Sequence, residues 1–92
     1  MAYAGTYRTE SGRNYFRWSF EQQANGTVRA YILAQPDYEG RDEDGHSTHR
    51  YGLGERPYIC YDPMPDNLQD AINIAKVWAE KTEAYIRWGE TF

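Results

Sequence analysis

The stretch Tyr15-Phe16-Arg17-Trp18-Ser19-Phe20-Glu21, followed by Asn25-Gly26 and then Thr27-Val28-Arg29-Ala30-Tyr31-Ile32-Leu33, decides the fold. Its first part alternates with a period of two. Phe16, Trp18 and Phe20 share one face, while Tyr15, Arg17, Ser19 and Glu21 share the other, the pattern of a half-buried strand. Asn25-Gly26 is a strong hairpin signal, since a two-residue type I′ turn needs positive φ at both central positions. The return strand places Val28, Ala30 and Ile32 on the apolar face and Arg29, Tyr31 and Leu33 on the other. Upstream, Tyr3 to Thr9 reads as a further strand that turns at Ser11-Gly12. Downstream, Tyr58-Ile59-Cys60-Tyr61 is short, rich in β-formers and bounded by prolines.

The period changes beyond Asp62-Pro63-Met64-Pro65, where each proline pushes its predecessor toward extended geometry. Asp66 is the expected N-cap, with Gln69 completing a capping box. Leu68, Ala71, Ile72, Ala75, Trp78, Ala79, Thr82, Tyr85 and Ile86 then recur at helical spacing, and Gly89 supplies a C-cap. Glu83 and Arg87 stand in the i,i+4 relation of a surface ion pair. Ile74, Val77 and Trp88 fall beside the main stripe, so the apolar arc is wider than one buried face requires. That flank is expected either to be covered within the fold or to meet a partner, a second copy included. The fold expected is α+β, a three- to four-stranded antiparallel sheet packed against one C-terminal α-helix in the order β-β-β-loop-β-α.

The chain has 92 residues, the length of a single domain spanning 1–92. Leu, Ile, Val and Phe number only 13, but 15 residues are aromatic, nine of them Tyr. Each buried ring removes roughly 150 to 250 Å² from water, so a small aromatic core replaces a larger aliphatic one. Ten basic and 14 acidic residues give a formal charge of −4. That balance argues against a generic binder of phosphate backbones. Charge is also uneven: residues 1–34 carry a net +2 and residues 35–92 a net −6.

Between the third and fourth strands, about 35–56, lies a long loop without periodicity, and loops of that length in small domains are usually functional or disordered. It holds Asp37, Glu39, Asp42, Glu43 and Asp44, whose spacing fits no EF-hand register. Their functional reading is an acidic patch offered to a basic surface. His46 and His49, with Cys60 beyond, do not supply three or four convergent metal ligands, so no metal or cofactor is expected. Cys60 is the only cysteine, excluding an intramolecular disulfide. Lying within a strand between two tyrosines, it reads as a small buried hydrophobe. No nucleophile elbow or phosphate-cradling glycine loop is present, so enzymatic activity is not expected. The absence of a signal-like or membrane-spanning run points to a cytoplasmic protein.

Tyr15, Arg17, Arg29 and Tyr31 share the outward sheet face, an Arg/Tyr interleaving used both for single-stranded nucleic acids and for protein hot spots. Three antiparallel strands followed by one packing helix resembles the topology of AP2-type and integrase-arm DNA-binding domains, which read the major groove with the sheet. The resemblance lies in topology alone, without a signature motif, and topology assigns no function. The leading expectation is a small non-enzymatic interaction protein, an acidic inhibitor of nucleic-acid-handling machinery of the phage-encoded anti-defence kind. Its partner would be another protein with a basic surface. Nucleic-acid binding through the Arg/Tyr face is the alternative, and a small enzyme or metal-binding protein comes third.

Overall fold

A computed structural model describes residues 2–92. The strands are β1 (Ala2–Arg8), β2 (Tyr15–Gln22) and β3 (Val28–Ala34), then β4 (Arg50–Tyr51) and β5 (Tyr58–Ile59). One turn of helix, α1 (Gly45–Thr48), precedes β4, and a long helix, α2 (Leu68–Trp88), follows β5. All pairings are antiparallel, in the order β1-β2-β3-β5-β4. The expected α+β architecture is present, with five strands rather than three or four. The Tyr58–Tyr61 segment contributes only Tyr58–Ile59, and the loop supplies the additional strand, β4. The sheet thus carries two strands more than the three-strand layout it resembled in sequence.

The β2–β3 register sets Trp18 beside Ile32, Phe20 beside Ala30 and Gln22 beside Val28. Apolar side chains of both strands therefore project to the same side, as their alternation dictates. Helix α2 covers that side with Ala71, Ala75, Trp78 and Ala79. The small alanines let the helix axis approach the sheet while the rings of β2 fill the space. Phe16 meets Trp78 edge-on at 5.6 Å and stacks beside Trp18 at 6.0 Å, geometries that suit aromatic quadrupoles. The prolines flanking β5 have a further use, because β3 is longer than its neighbour. Pro57 C=O accepts from Ile32 N–H and Pro65 C=O from Val28 N–H, so the ladder continues where β5 does not reach.

Two local expectations are corrected. The β2–β3 connection is not a two-residue type I′ turn, since Asn25 is not among the positive-φ residues. Gly26 has φ +90°, donates to Gln23 C=O at 3.0 Å, and is followed by a Gln23 N–H to Thr27 C=O bond. This is a longer hairpin with one left-handed glycine at its bulge. Asn25 instead uses its side-chain oxygen to accept from Thr27 N–H and Oγ1. The N-cap of α2 is Asn67 rather than Asp66. Its Oδ1 accepts from Asp70 N–H at 2.9 Å, while its Nδ2 donates to the Asp70 carboxylate. The cap and its reciprocal partner thus lie one residue beyond Asp66 and Gln69.

Candidate interaction surfaces

The 35–56 segment is pinned to the C-terminal half of α2 at several points. Tyr38 is buried against Tyr85, with ring centroids 6.1 Å apart, and the Arg50 guanidinium lies 4.9 Å from the Tyr38 centroid. Tyr85 Oη donates to Asp42 C=O at 2.8 Å. Arg41 Nε donates to Ile86 C=O at 3.2 Å, placing a cation at the negative end of the helix. Trp78 Nε1 donates to Thr48 C=O at 3.0 Å, joining α1 to the main core. Arg50 closes the segment on itself, donating to Thr48 Oγ1 and Glu43 C=O. A stretch without periodicity in its apolar residues is nevertheless ordered by side-chain bonds to backbone carbonyls.

Its carboxylates are all exposed. Asp37 accepts from Glu39 N–H, and Asp44 caps α1 by accepting from Ser47 N–H at 3.0 Å. Hydrogen bonding from Ser47 holds the Asp44 carboxyl below the usual aspartate range. Glu39, Asp42 and Glu43 make no side-chain hydrogen bond among the described residues. All five acids expected at a contact surface therefore face solvent on an anchored segment, and three of them have no intramolecular side-chain partner among the described residues. His49 ends α1 in the left-handed region at φ 52°, with its ring stacked 4.5 Å from that of Phe92. Among the described residues, no cluster of three or more His, Cys, Asp or Glu has a metal-holding arrangement.

The outward sheet face departs from expectation. Tyr15 and Arg17 are exposed, but Tyr31 is only 8% exposed. Arg56 covers its ring, with Cζ 3.8 Å from the centroid, and the Arg29 guanidinium lies 4.2 Å from the Tyr58 centroid. Arg29 Nη1 also donates to Tyr31 Oη. Arg56 forms an ion pair with Glu21 at 2.6 Å, and this bond, ahead of one from Ser19, lowers the Glu21 carboxyl from its ordinary value. Tyr51 completes the group, 5.5 Å from Tyr58. The face therefore carries a second aromatic cluster, whose arginines already occupy its rings. Alternation placed Tyr31 outward correctly; the covering Arg56 comes from a loop with no readable period.

The three residues of the helix flank separate. Ile74 and Val77 border a groove of about 320 Å³ between α2 and the Ile59–Tyr61 segment. His49, Cys60 and Lys81 also line it, and Cys60 N–H donates to His49 C=O at 2.9 Å. Val77 is 55% exposed there. Trp88, 60% exposed, lies apart from the groove with the Arg87 guanidinium 4.2 Å from its centroid. Arg87 therefore does not form the expected ion pair with Glu83.

Glu83 instead anchors a network that the sequence reading missed. Only 6% exposed, it accepts from Thr9 Oγ1 at 2.5 Å, Ser11 Oγ at 2.8 Å and Asn14 Nδ2 at 2.8 Å. Burial raises its pKa, but these hydrogen bonds and the Arg87 charge outweigh burial and bring it below the ordinary glutamate value. One turn earlier, Glu80 accepts from Tyr7 Oη and from Glu10 N–H. The bond to Glu80, followed by burial, pushes the Tyr7 hydroxyl up to about 12. The β1–β2 turn is thus fastened to α2 by two carboxylates, one of them the Glu83 expected in a surface ion pair. A signal was available in Thr9, Ser11 and Asn14, three short hydrogen-bonding side chains in one turn.

Among the described residues, no helix is long and apolar enough to cross a membrane. Compared with protein-family models, curated proteins and solved structures, the chain gives no match, so the functional reading rests on its own surfaces.

Proposed function

We propose that this chain is a non-catalytic interaction protein that presents its acidic 37–44 rim to a basic surface on another protein. The observation supporting this reading is the anchoring of the rim. Tyr38, Arg41 and Arg50 tie it down, while the Glu39, Asp42 and Glu43 carboxylates have no intramolecular partner among the described residues. An acidic surface already held in place avoids much of the ordering entropy that a flexible loop loses on binding. Carboxylates spaced along such a rim compete for Lys and Arg side chains that otherwise hold phosphates, and they steer association at low salt. An inhibitor of nucleic-acid-handling machinery, of the phage-encoded anti-defence type, would act in this way. The buried Tyr31 and the arginines stacked on Tyr31 and Tyr58 make the sheet a poorer base-stacking platform than the alternation suggested.

The test is a paired capture from the native host with wild-type chain and the Asp42→Asn/Glu43→Gln/Asp44→Asn variant as baits. Asparagine preserves the cap at position 44. Partners retained by wild type and lost by the variant at low salt support the proposal, provided association slows and its salt dependence flattens. Equal recovery on both baits sinks it. Salt-sensitive gel shifts of single-stranded DNA or RNA, lost in Arg17→Ala, would replace it with the nucleic-acid reading.

A further inference from the structure

The two edges of the sheet are built differently. At one edge β4 has only two residues and is followed by Gly52. At the other, β1 runs seven residues in unbroken register with β2, from Ala2↔Glu21 to Arg8↔Tyr15. Long exposed edges are normally blunted by proline, lysine, a bulge or a covering element. β1, Ala-Tyr-Ala-Gly-Thr-Tyr-Arg, contains neither proline nor lysine, and the nearest register shift lies on the far side of β2, between Arg17 and Trp18.

The direction of its free backbone groups follows from the end of the ladder. Thr9 N–H donates to Asn14 C=O at 3.0 Å, so the Thr9 backbone faces β2. Antiparallel alternation then turns Tyr7, Gly5 and Tyr3 toward β2. The N–H and C=O groups of Ala2, Ala4, Thr6 and Arg8 point away from the sheet. Those four residues are self-complementary in antiparallel pairing. A two-fold axis at Gly5 sets Ala4 against Thr6 of a second copy and Ala2 against its Arg8, all in hydrogen-bonded positions. Gly5 then meets its equivalent, and Tyr3 meets Tyr7, in the closer non-hydrogen-bonded positions.

The side chains agree with that register on both faces. Tyr3 and Tyr7 lie on the helix side, 6.2 Å from Phe20 and 6.3 Å from Trp18 respectively. Tyr3 is 48% exposed there, beside a recess of about 280 Å³ bordered by Gly5, Ile72 and Lys76. Opposing Tyr3–Tyr7 pairs would roof this recess and bury the exposed ring. On the outward face, the Arg8 guanidinium lies 5.8 Å from the Tyr15 centroid and donates to Gly12 C=O, with no carboxylate partner among the described residues. In the paired register Arg8 lies opposite the second copy's Ala2, whose neighbour on β2 is Glu21. Two strand spacings, about 10 Å, separate the Arg8 and Glu21 backbones across a small alanine, so an extended arginine would add a second cation near the carboxylate that Arg56 already pairs. We infer that the chain forms a two-fold dimer in which β1 pairs antiparallel with β1 of a second copy, making one continuous sheet. This surface is distinct from the acidic rim and from the Ile74, Val77 and Trp88 flank.

Sedimentation velocity of the full chain between about 5 and 500 µM tests it, because mass action must populate the dimer as concentration rises. Thr6→Pro removes an outward N–H that the β1–β2 ladder does not use, a change edge strands tolerate. Thr6→Lys keeps the backbone and adds an edge charge. Each is expected to weaken dimerisation at least about tenfold, with unchanged far-ultraviolet circular dichroism in dilute solution; if the proline variant unfolds, the lysine variant decides. In a Cys60→Ser background, a nitroxide on Thr6→Cys should show dipolar broadening that vanishes on dilution with unlabelled chain. A monomer throughout the range overturns the inference. So does a dimer that Thr6→Lys leaves equally tight, or one whose spin label stays narrow.

Discussion

Replacing Glu83 with glutamine tests whether the β1–β2 turn is held by a charged acceptor. The native carboxylate receives three donors, from Thr9, Ser11 and Asn14. Hydrogen bonds to charged groups contribute about 1.5–3 kcal/mol each, against about 0.5–1.5 for neutral pairs. Glutamine keeps the shape and one acceptor but turns an NH2 group toward those donors. Because Ser11 and Asn14 can recover part of the loss through water, the expected destabilisation is about 2 kcal/mol, rising to about 3 for Glu83→Ala. At about 4–8 °C per kcal/mol for a domain of this size, Tm should fall by roughly 8–16 °C for the glutamine variant. Urea unfolding should show a lower midpoint with an unchanged m-value. The pH dependence adds an independent check. A carboxyl whose folded pKa is lowered contributes its stabilisation fully above the unfolded value and loses it as pH falls through the folded value. The gap between wild type and Glu83→Gln should therefore be widest near neutrality and narrow progressively once pH falls below the ordinary glutamate value, about 4.3. A difference under about 0.5 kcal/mol at pH 7, or a gap that does not narrow as pH is lowered, would refute the reasoning.

Other substitutions probe the remaining contacts. Tyr7→Phe should cost about 1 kcal/mol at neutral pH by removing the donor to Glu80. Since the folded Tyr7 pKa is raised to about 12, its stabilisation holds below the unfolded value and disappears as pH climbs through the folded one. The variant should accordingly flatten the alkaline limb of the stability curve. Tyr38→Phe should be neutral or stabilising in chemical denaturation, because the buried Tyr38 hydroxyl lacks a well-formed hydrogen bond. Trp78→Phe should cost about 2 kcal/mol through lost packing and the lost bond to Thr48, with faster amide exchange in residues 44–51 as its signature. Arg56→Ala should lower the urea midpoint slightly, less so at high salt, and leave the Tyr31 ring more exposed to solvent.

The legible parts of the fold were those governed by short-range periodicity. Phe16, Trp18 and Phe20 announced β2, and the Leu68–Ile86 recurrence announced α2, because a repeating pattern averages over many residues. Turn and cap details were less legible. Asp66 and Asn67 are both good caps, and the choice between them depends on where the Pro65 carbonyl must meet β3. Likewise, Asn25-Gly26 supports more than one hairpin length, and the β3 ladder selects the longer. At the candidate surfaces, residue type identified the five exposed acids, but it did not reveal that Tyr38, Arg41 and Arg50 anchor the rim. The Tyr38–Tyr85 and Arg41–Ile86 contacts join residues more than forty positions apart, beyond any local pattern, and Arg50 folds back within the segment onto Tyr38, Glu43 and Thr48. Glu83 was misread for the same reason: its partners sit in the first turn of the chain rather than four residues along the helix.

Surface loops ordinarily accept trimming with little consequence, since the elements they connect pack without them. Residues 35–56 break that rule. One end reinforces the far end of the helix, and the other delivers Arg56 as the lid on Tyr31. With one long helix available for a two-faced sheet, the last part of this excursion, through Tyr51 and Arg56, serves as upholstery for the uncovered side. A shortened variant would therefore unroof a tyrosine cluster as well as discarding charge, and its failure to bind a partner would say nothing about the carboxylates themselves. Point substitutions at the rim, which leave the upholstery in place, separate the two.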